Sequence, residues 1–107
     1  MRKIEAQMIN AVRRRISWHS GNTSVTKKPW GLEIHLFGNL IAHVTDNKLE
    51  VFDAGYQTAT TKSRLNCLIN ALTDGSRNGI FQKHFEWFVT IDGSNQEWNG
   101  ENWFPIT

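Results

Sequence analysis

The 107-residue sequence contains a single cysteine, Cys67, one tyrosine and two prolines. One cysteine excludes an internal disulfide and any zinc site built on cysteine pairs, and it fits a reducing compartment. No stretch approaches the roughly 18 apolar residues of a membrane span, and the first residues carry no apolar leader core, so no membrane partner is expected. A glycine-rich phosphate loop followed by Lys-Ser/Thr is absent, as is a dinucleotide fingerprint. Like charges run no further than Arg13-Arg14-Arg15, which argues against a disordered chain. From Glu86 onward Lys and Arg are missing, while Glu86, Asp92, Glu97 and Glu101 remain.

What is present is enough for one core. Six Phe, five Trp and one Tyr offset an apolar fraction of 39%, because each aromatic can bury roughly 150–250 Å². Length and composition point to a single domain spanning 1–107. Its charge is uneven. Residues 1–28 hold seven Lys/Arg against Glu5, a local +6, whereas the rest holds five basic and nine acidic groups, a local −4. The net +2 excludes an acidic mimic of DNA and weighs against a tight duplex binder, which is usually more basic.

Residues 2–17 predict an amphipathic helix with Ile4, Met8, Ala11, Val12 and Ile16 on one side and Lys3, Gln7, Asn10 and Arg14 on the other. Arg13, Arg14 and Arg15 fall in its last turns, where cations suit the negative helix end. They form either a solvated helix end or, with Arg2, Lys3, Lys27 and Lys28, a phosphate-contacting patch. Thr23 to Lys28 reads as an edge strand leading to Pro29. Gly31 to Asp53 reads as a three-stranded meander turning at Gly38-Asn39 and Asp46-Asn47. That register pairs Ile34 with His43 and His43 with Glu50, separates His35 from His43, and leaves both sheet faces apolar.

A second helix is expected from Lys62 to about Thr73, capped by Thr60 or Thr61, with Leu65, Leu68, Ile69 and Leu72 as its stripe and Asp74-Gly75 as its stop. Ile80 to Ile91 reads as one long strand turning at Asp92-Gly93, followed by a short hairpin or ordered tail. The expected class is α+β: an antiparallel β-meander sheet of four to six strands, with two amphipathic helices on one face.

The segment Gly55 to Asn66, with Thr60-Thr61-Lys62-Ser63-Arg64-Leu65-Asn66 at its heart, resembles a family of small proteins encoded by tailed bacteriophages, for which no activity is established. Asn22 to Val25, Gly38 to Ala42, Phe81-Gln82-Lys83 and Trp87-Phe88 extend the likeness over roughly residues 1–105. The resemblance implies a phage origin and a place in the host cytoplasm, and it favours proteins that handle nucleic acid or redirect host machinery.

Candidate chemistry is sparse. His19, His35, His43 and His84 show no metal-ligand spacing, Glu33 and Glu50 fall on opposite faces in the register above, and Cys67 reads as a packing residue. No catalytic residue, metal or cofactor is assigned, and no enzyme activity is expected. The nucleic-acid contacts expected are Arg13, Arg14, Arg15, Lys27, Lys28, Lys62 and Arg64. Lys62 and Arg64 sit at a helix N-terminus, where cations are unfavourable unless Asp53 or a phosphate is near. The alternative partner is a host protein, met by the acidic end with Trp87, Trp98 and Trp103 as anchors or by an apolar sheet face. Self-association as a homodimer is a third expectation.

Overall fold

The computed structural model describes residues 2–98 and 104–106. Helix α1 (Lys3–Arg14) turns Met8, Ile9, Ala11 and Val12 inward, the three larger side chains each contributing up to roughly 1.5–3 kcal/mol by leaving water. It ends sooner than the periodicity suggests, because Arg15 adopts a left-handed φ of 54° and the Ile16 N–H closes the helix on the Ala11 carbonyl. Ile16 is exposed as a result.

Strands β1 (Trp18–Ser20), β2 (Thr23–Lys28), β3 (Gly31–Leu36), β4 (Asn39–Val44) and β5 (Leu49–Val51) follow. Helix α2 (Ala59–Leu72) comes next, then β6 (Gly79–Lys83), β7 (Glu86–Ile91), β8 (Ser94–Glu97) and β9 (Phe104–Ile106). All pairings are antiparallel. Six strands form one sheet in the order β1-β2-β3-β4-β5-β9, and β6-β7-β8 form a second. The α+β meander is therefore as expected, with two differences in its strands: β2 lies inside the sheet, between β1 and β3, and the long Ile80–Ile91 strand is two.

The β3–β4 turn is Phe37-Gly38, not Gly38-Asn39. Both residues are left-handed, at φ 50° and 77°, as a two-residue type I′ hairpin requires, and Leu36 pairs with Asn39. The pairing then shifts between Ile34 and His35, so that Ile41 is the extra residue of a bulge and both Ile41 and Ala42 are buried. Ile34 pairs with Ala42 and Glu33 with His43, while His43 pairs with Glu50 as expected.

A one-residue change of register moves side chains across the sheet. Val25, Leu32, Ile34, Leu36, Val44, Leu49 and Val51 share the buried face, with α1 and α2 against it. Ser24, Thr26, Glu33, His35, His43 and Glu50 share the other, half-buried face. The expectation of two apolar faces is overturned: there is one, and the helices cover it.

Helix α2 starts at Thr58, whose hydroxyl accepts from the Thr61 N–H at 3.1 Å, two or three residues before the expected cap. Its Asn66 side chain accepts from the Ile80 N–H at 2.8 Å and donates to the Ile80 carbonyl at 2.9 Å. That two-way bond docks the small sheet on the helix. The β6–β7 turn is His84-Phe85, both left-handed at φ 51° and 67°, with Phe85 95% exposed. A left-handed φ costs an L residue roughly 1–2 kcal/mol. Phe85→Gly should therefore raise stability by about 1 kcal/mol and the Tm by about 4 °C. A lower Tm in thermal unfolding would show that the ring contributes to folding.

Candidate nucleic-acid interface

The seven cations do not act as one set. Arg64 is 3% exposed. Its Nη1 donates to Glu5 Oε2 at 2.8 Å, its Nε to the Thr23 hydroxyl at 3.0 Å and its Nη2 to Asn22 Oδ1 at 3.3 Å. Ser63 Oγ donates to the same Glu5 oxygen at 2.6 Å. Burial pushes the Glu5 carboxyl up, but the hydrogen bonds from Ser63, Arg64 and the Arg2 N–H, with the Arg64 charge, hold it below its ordinary value. Arg64 is thus a structural cation joining α2 to α1 and β2, and it leaves the group of phosphate-binding candidates.

The acid that meets the start of α2 is Glu5, which takes Ser63 and Arg64, whereas Asp53 bonds within the loop before the helix. Asp53 is buried, accepts from the Gly55 N–H at 2.8 Å and from Gln57 Nε2 at 3.1 Å, and lines a cavity of about 410 Å³ with Thr58 and Thr61. Lys62 remains half-buried there. At 1.5 Å per residue it is about 16 Å from the Thr73 end of its helix, too far to join the other cations.

Those others converge. Arg13, Arg15 and Lys48 line one groove of about 210 Å³, closed by Leu72, Thr73 and Ile106. Arg15 pairs with Asp46 at 2.9 Å. The Lys27 N–H donates to Ser17 Oγ at 3.0 Å, which ties the end of β2 to the segment after α1. Lys28 pairs across the β2–β3 turn with Gly31, and Gly31 lies against the Val44 carbonyl beside the Asp46-Asn47 turn. One end of the six-stranded sheet thereby gathers Arg13, Arg14, Arg15, Lys27, Lys28 and Lys48. Among the described residues, Arg13, Arg14, Lys27 and Lys48 make no ion pair. Part of this charge serves the helix, because Arg13 and Arg14 lie in the last turn of α1.

Two residues of this end are not among the expected contacts. Lys48 stands alone in sequence, and only the hairpin returns it to the Arg triplet. Trp30 occupies the two-residue turn between β2 and β3, is 48% exposed, and meets His43 edge-to-face with ring centroids 5.0 Å apart. The signal available was its place directly after Lys27-Lys28-Pro29.

The aromatic anchors expected elsewhere are core. Trp87 and Trp98 are each 3% exposed and pack edge-to-face at 5.8 Å, so neither can anchor a partner without leaving the core. Trp103 lies outside the described residues. Cys67 is buried, and its thiol pKa is raised by desolvation and then by Glu5, which disfavours the reactive thiolate.

The corrected register also reunites groups that the expected one dispersed. Glu33, His43 and Glu50 form one cross-strand row, with His35 on the same face. Glu33 takes Lys28 at 3.9 Å and His35 at 4.0 Å. Among the described residues no group of three or more His, Cys, Asp or Glu is arranged to hold a metal ion, and no helix is long and apolar enough to cross a membrane.

Fold and site together define a small α+β protein whose principal sheet gathers cations at one end, with the exposed Trp30 on the β2–β3 turn of that same end. Residues 1–105 match the family described as Kyanoviridae Gp96 protein, and the chain belongs to that bacteriophage family. No curated protein and no solved structure matches it.

Proposed function

We propose that this phage protein is a non-catalytic nucleic-acid binder of the host cytoplasm, holding phosphates with the basic end of its sheet. The observation that carries this is the convergence of Arg13, Arg14, Arg15, Lys27, Lys28 and Lys48 from three chain segments, of which, among the described residues, Arg15 and Lys28 pair with acids and the other four do not. Cations that outnumber the carboxylates beside them attract polyanions and speed their encounter. Glu86, Asp92 and Glu97 lie in or between the strands of the separate three-stranded sheet, so these three acids belong to a different part of the fold from the cations.

Fluorescence anisotropy with labelled oligonucleotides over a range of salt tests it. Each cation withdrawn from a phosphate should reduce the slope of log K against log salt by about 0.7–0.9. Replacing Arg13, Arg14 and Arg15 by Gln should therefore flatten the slope measurably, whereas Lys62→Gln should leave it nearly unchanged. Undetectable or salt-insensitive binding overturns the proposal.

A host-protein partner is the alternative, supported by Phe37 and Phe85, exposed at two hairpin tips. Phe37 lies at the far end of β4 from the cations, so the two readings use different surfaces. A stoichiometric protein retained from nuclease-treated host lysate, and lost in Phe37→Ser or Phe85→Ser, would favour it.

A further inference from the structure

Trp30 adds something that cations alone do not. We infer that the basic end selects single-stranded nucleic acid, with a base stacked on the Trp30 indole while neighbouring phosphates meet the Lys and Arg side chains of the same sheet end. The inference rests on the proposed nucleic-acid function and names the form of the substrate.

Three observations carry it. First, the indole is 48% exposed, on a two-residue turn flanked by Lys28 and Gly31, beside the end that gathers the unpaired cations. Second, its contact with His43 is edge-to-face, at 5.0 Å and 86° between planes. In that geometry His43 covers at most one face of the indole, and nearly half of the residue stays open to solvent. Third, the ring has a fixed base. Pro29 restrains the turn before it, and Gly31 lets β3 start hard against the Val44 carbonyl. A ring held this way loses little freedom on stacking.

Of the two acids in the His43 row, Glu33 has Lys28 at 3.9 Å and His35 at 4.0 Å, which tempers its repulsion of a phosphate, and Glu50 lies beyond His43 on β5. In a duplex the base faces are occupied by their neighbours, and the net charge of +2 gives little purchase on duplex phosphates beyond this end. In a single strand every base offers a face, and an aromatic platform among cations combines stacking with phosphate attraction.

The test compares oligothymidylate, oligouridylate and a mixed-sequence duplex, each about a dozen residues long, against wild type, Trp30→Ala and Trp30→Phe at one salt concentration. Loss of a base-stacking aromatic weakens binding about 5- to 150-fold. Trp30→Ala should show that loss for both single strands and change duplex affinity less than about twofold. Trp30→Phe, which keeps a ring, should recover most of it. The two single strands separate DNA from RNA. Saturating oligothymidylate or oligouridylate should also quench the wild-type Trp emission, and the quench should be absent in Trp30→Phe, a readout that does not depend on the alanine variant folding.

Single-strand affinity unchanged in Trp30→Ala but reduced by the Arg13, Arg14 and Arg15 substitutions overturns the stacking inference and leaves the basic-end reading standing. Wild-type preference for the duplex, or no quench at saturation, also overturns the inference. Binding to none of the three probes overturns both.

Discussion

Arg64→Met lowers the unfolding free energy by about 3–5 kcal/mol in urea denaturation, the usual cost of removing one partner of a buried ion pair. The size follows from what is stranded. Glu5 is buried, and its Oε2 would lose the guanidinium at 2.8 Å while keeping only Ser63 at 2.6 Å. Thr23, also buried, would lose its donor from Arg64 Nε. Converting both partners, in Glu5→Met with Arg64→Met, removes the stranded charge and should recover much of the loss.

The pH dependence gives an independent sign. The folded pKa of Glu5 lies below its ordinary 4.5. Its contribution is therefore present above about pH 4.5 and is lost as pH falls through the folded value, because protonation favours the unfolded chain. In Arg64→Met two of the effects that lower this pKa are gone while burial still raises it, so the loss of stability on acidification should shrink. If Arg64 instead bound phosphate, the variant would weaken nucleic-acid binding at nearly full stability. That pairing of results would refute its structural role.

Much of the fold was legible because its signals are local. The α1 periodicity, the α2 stripe and the Asp46-Asn47 turn each depend on a few adjacent residues, and each element is present. The failures come from turns without the usual residues and from pairings between distant parts of the chain. Phe37 and His84-Phe85 take left-handed turn positions normally filled by Gly, Asn or Asp, so nothing in composition marks them. Misplacing the first turn, and missing the Ile41 bulge, reversed part of the meander's facing and produced a second apolar face that does not exist. Arg64 shows the other kind of failure. Beside Lys62 it reads as half of an exposed pair, yet its partner Glu5 is 59 residues away. The uneven charge was plain in the sequence, but its assembly with Lys48 and Trp30 depends on which strand ends meet.

Gly31→Ala is expected to cost about 3 kcal/mol or more and to weaken single-strand binding in whatever fraction remains folded. Gly31 has a φ of +155°, and a Cβ there would overlap the Val44 carbonyl oxygen, with the carbonyl carbon 3.2 Å and the Thr45 Cα 3.4 Å away. Those are backbone atoms, so no side-chain rotation relieves the overlap. Relief requires β3 and β4 to separate where Leu32 pairs with Val44 and Glu33 with His43. Both Leu32 and Val44 are buried, so separation admits water to the core edge, in addition to roughly 1–3 kcal/mol of backbone strain. The same movement carries Trp30, the preceding residue, away from His43, whose ring is 5.0 Å from the indole. Chemical denaturation should show the lower midpoint. At temperatures where the variant is folded, oligothymidylate affinity should fall with it, while the Arg-dependent salt slope persists. Wild-type stability in Gly31→Ala would mean that the β3–β4 junction opens freely, and Trp30 would then have no fixed base from which to stack.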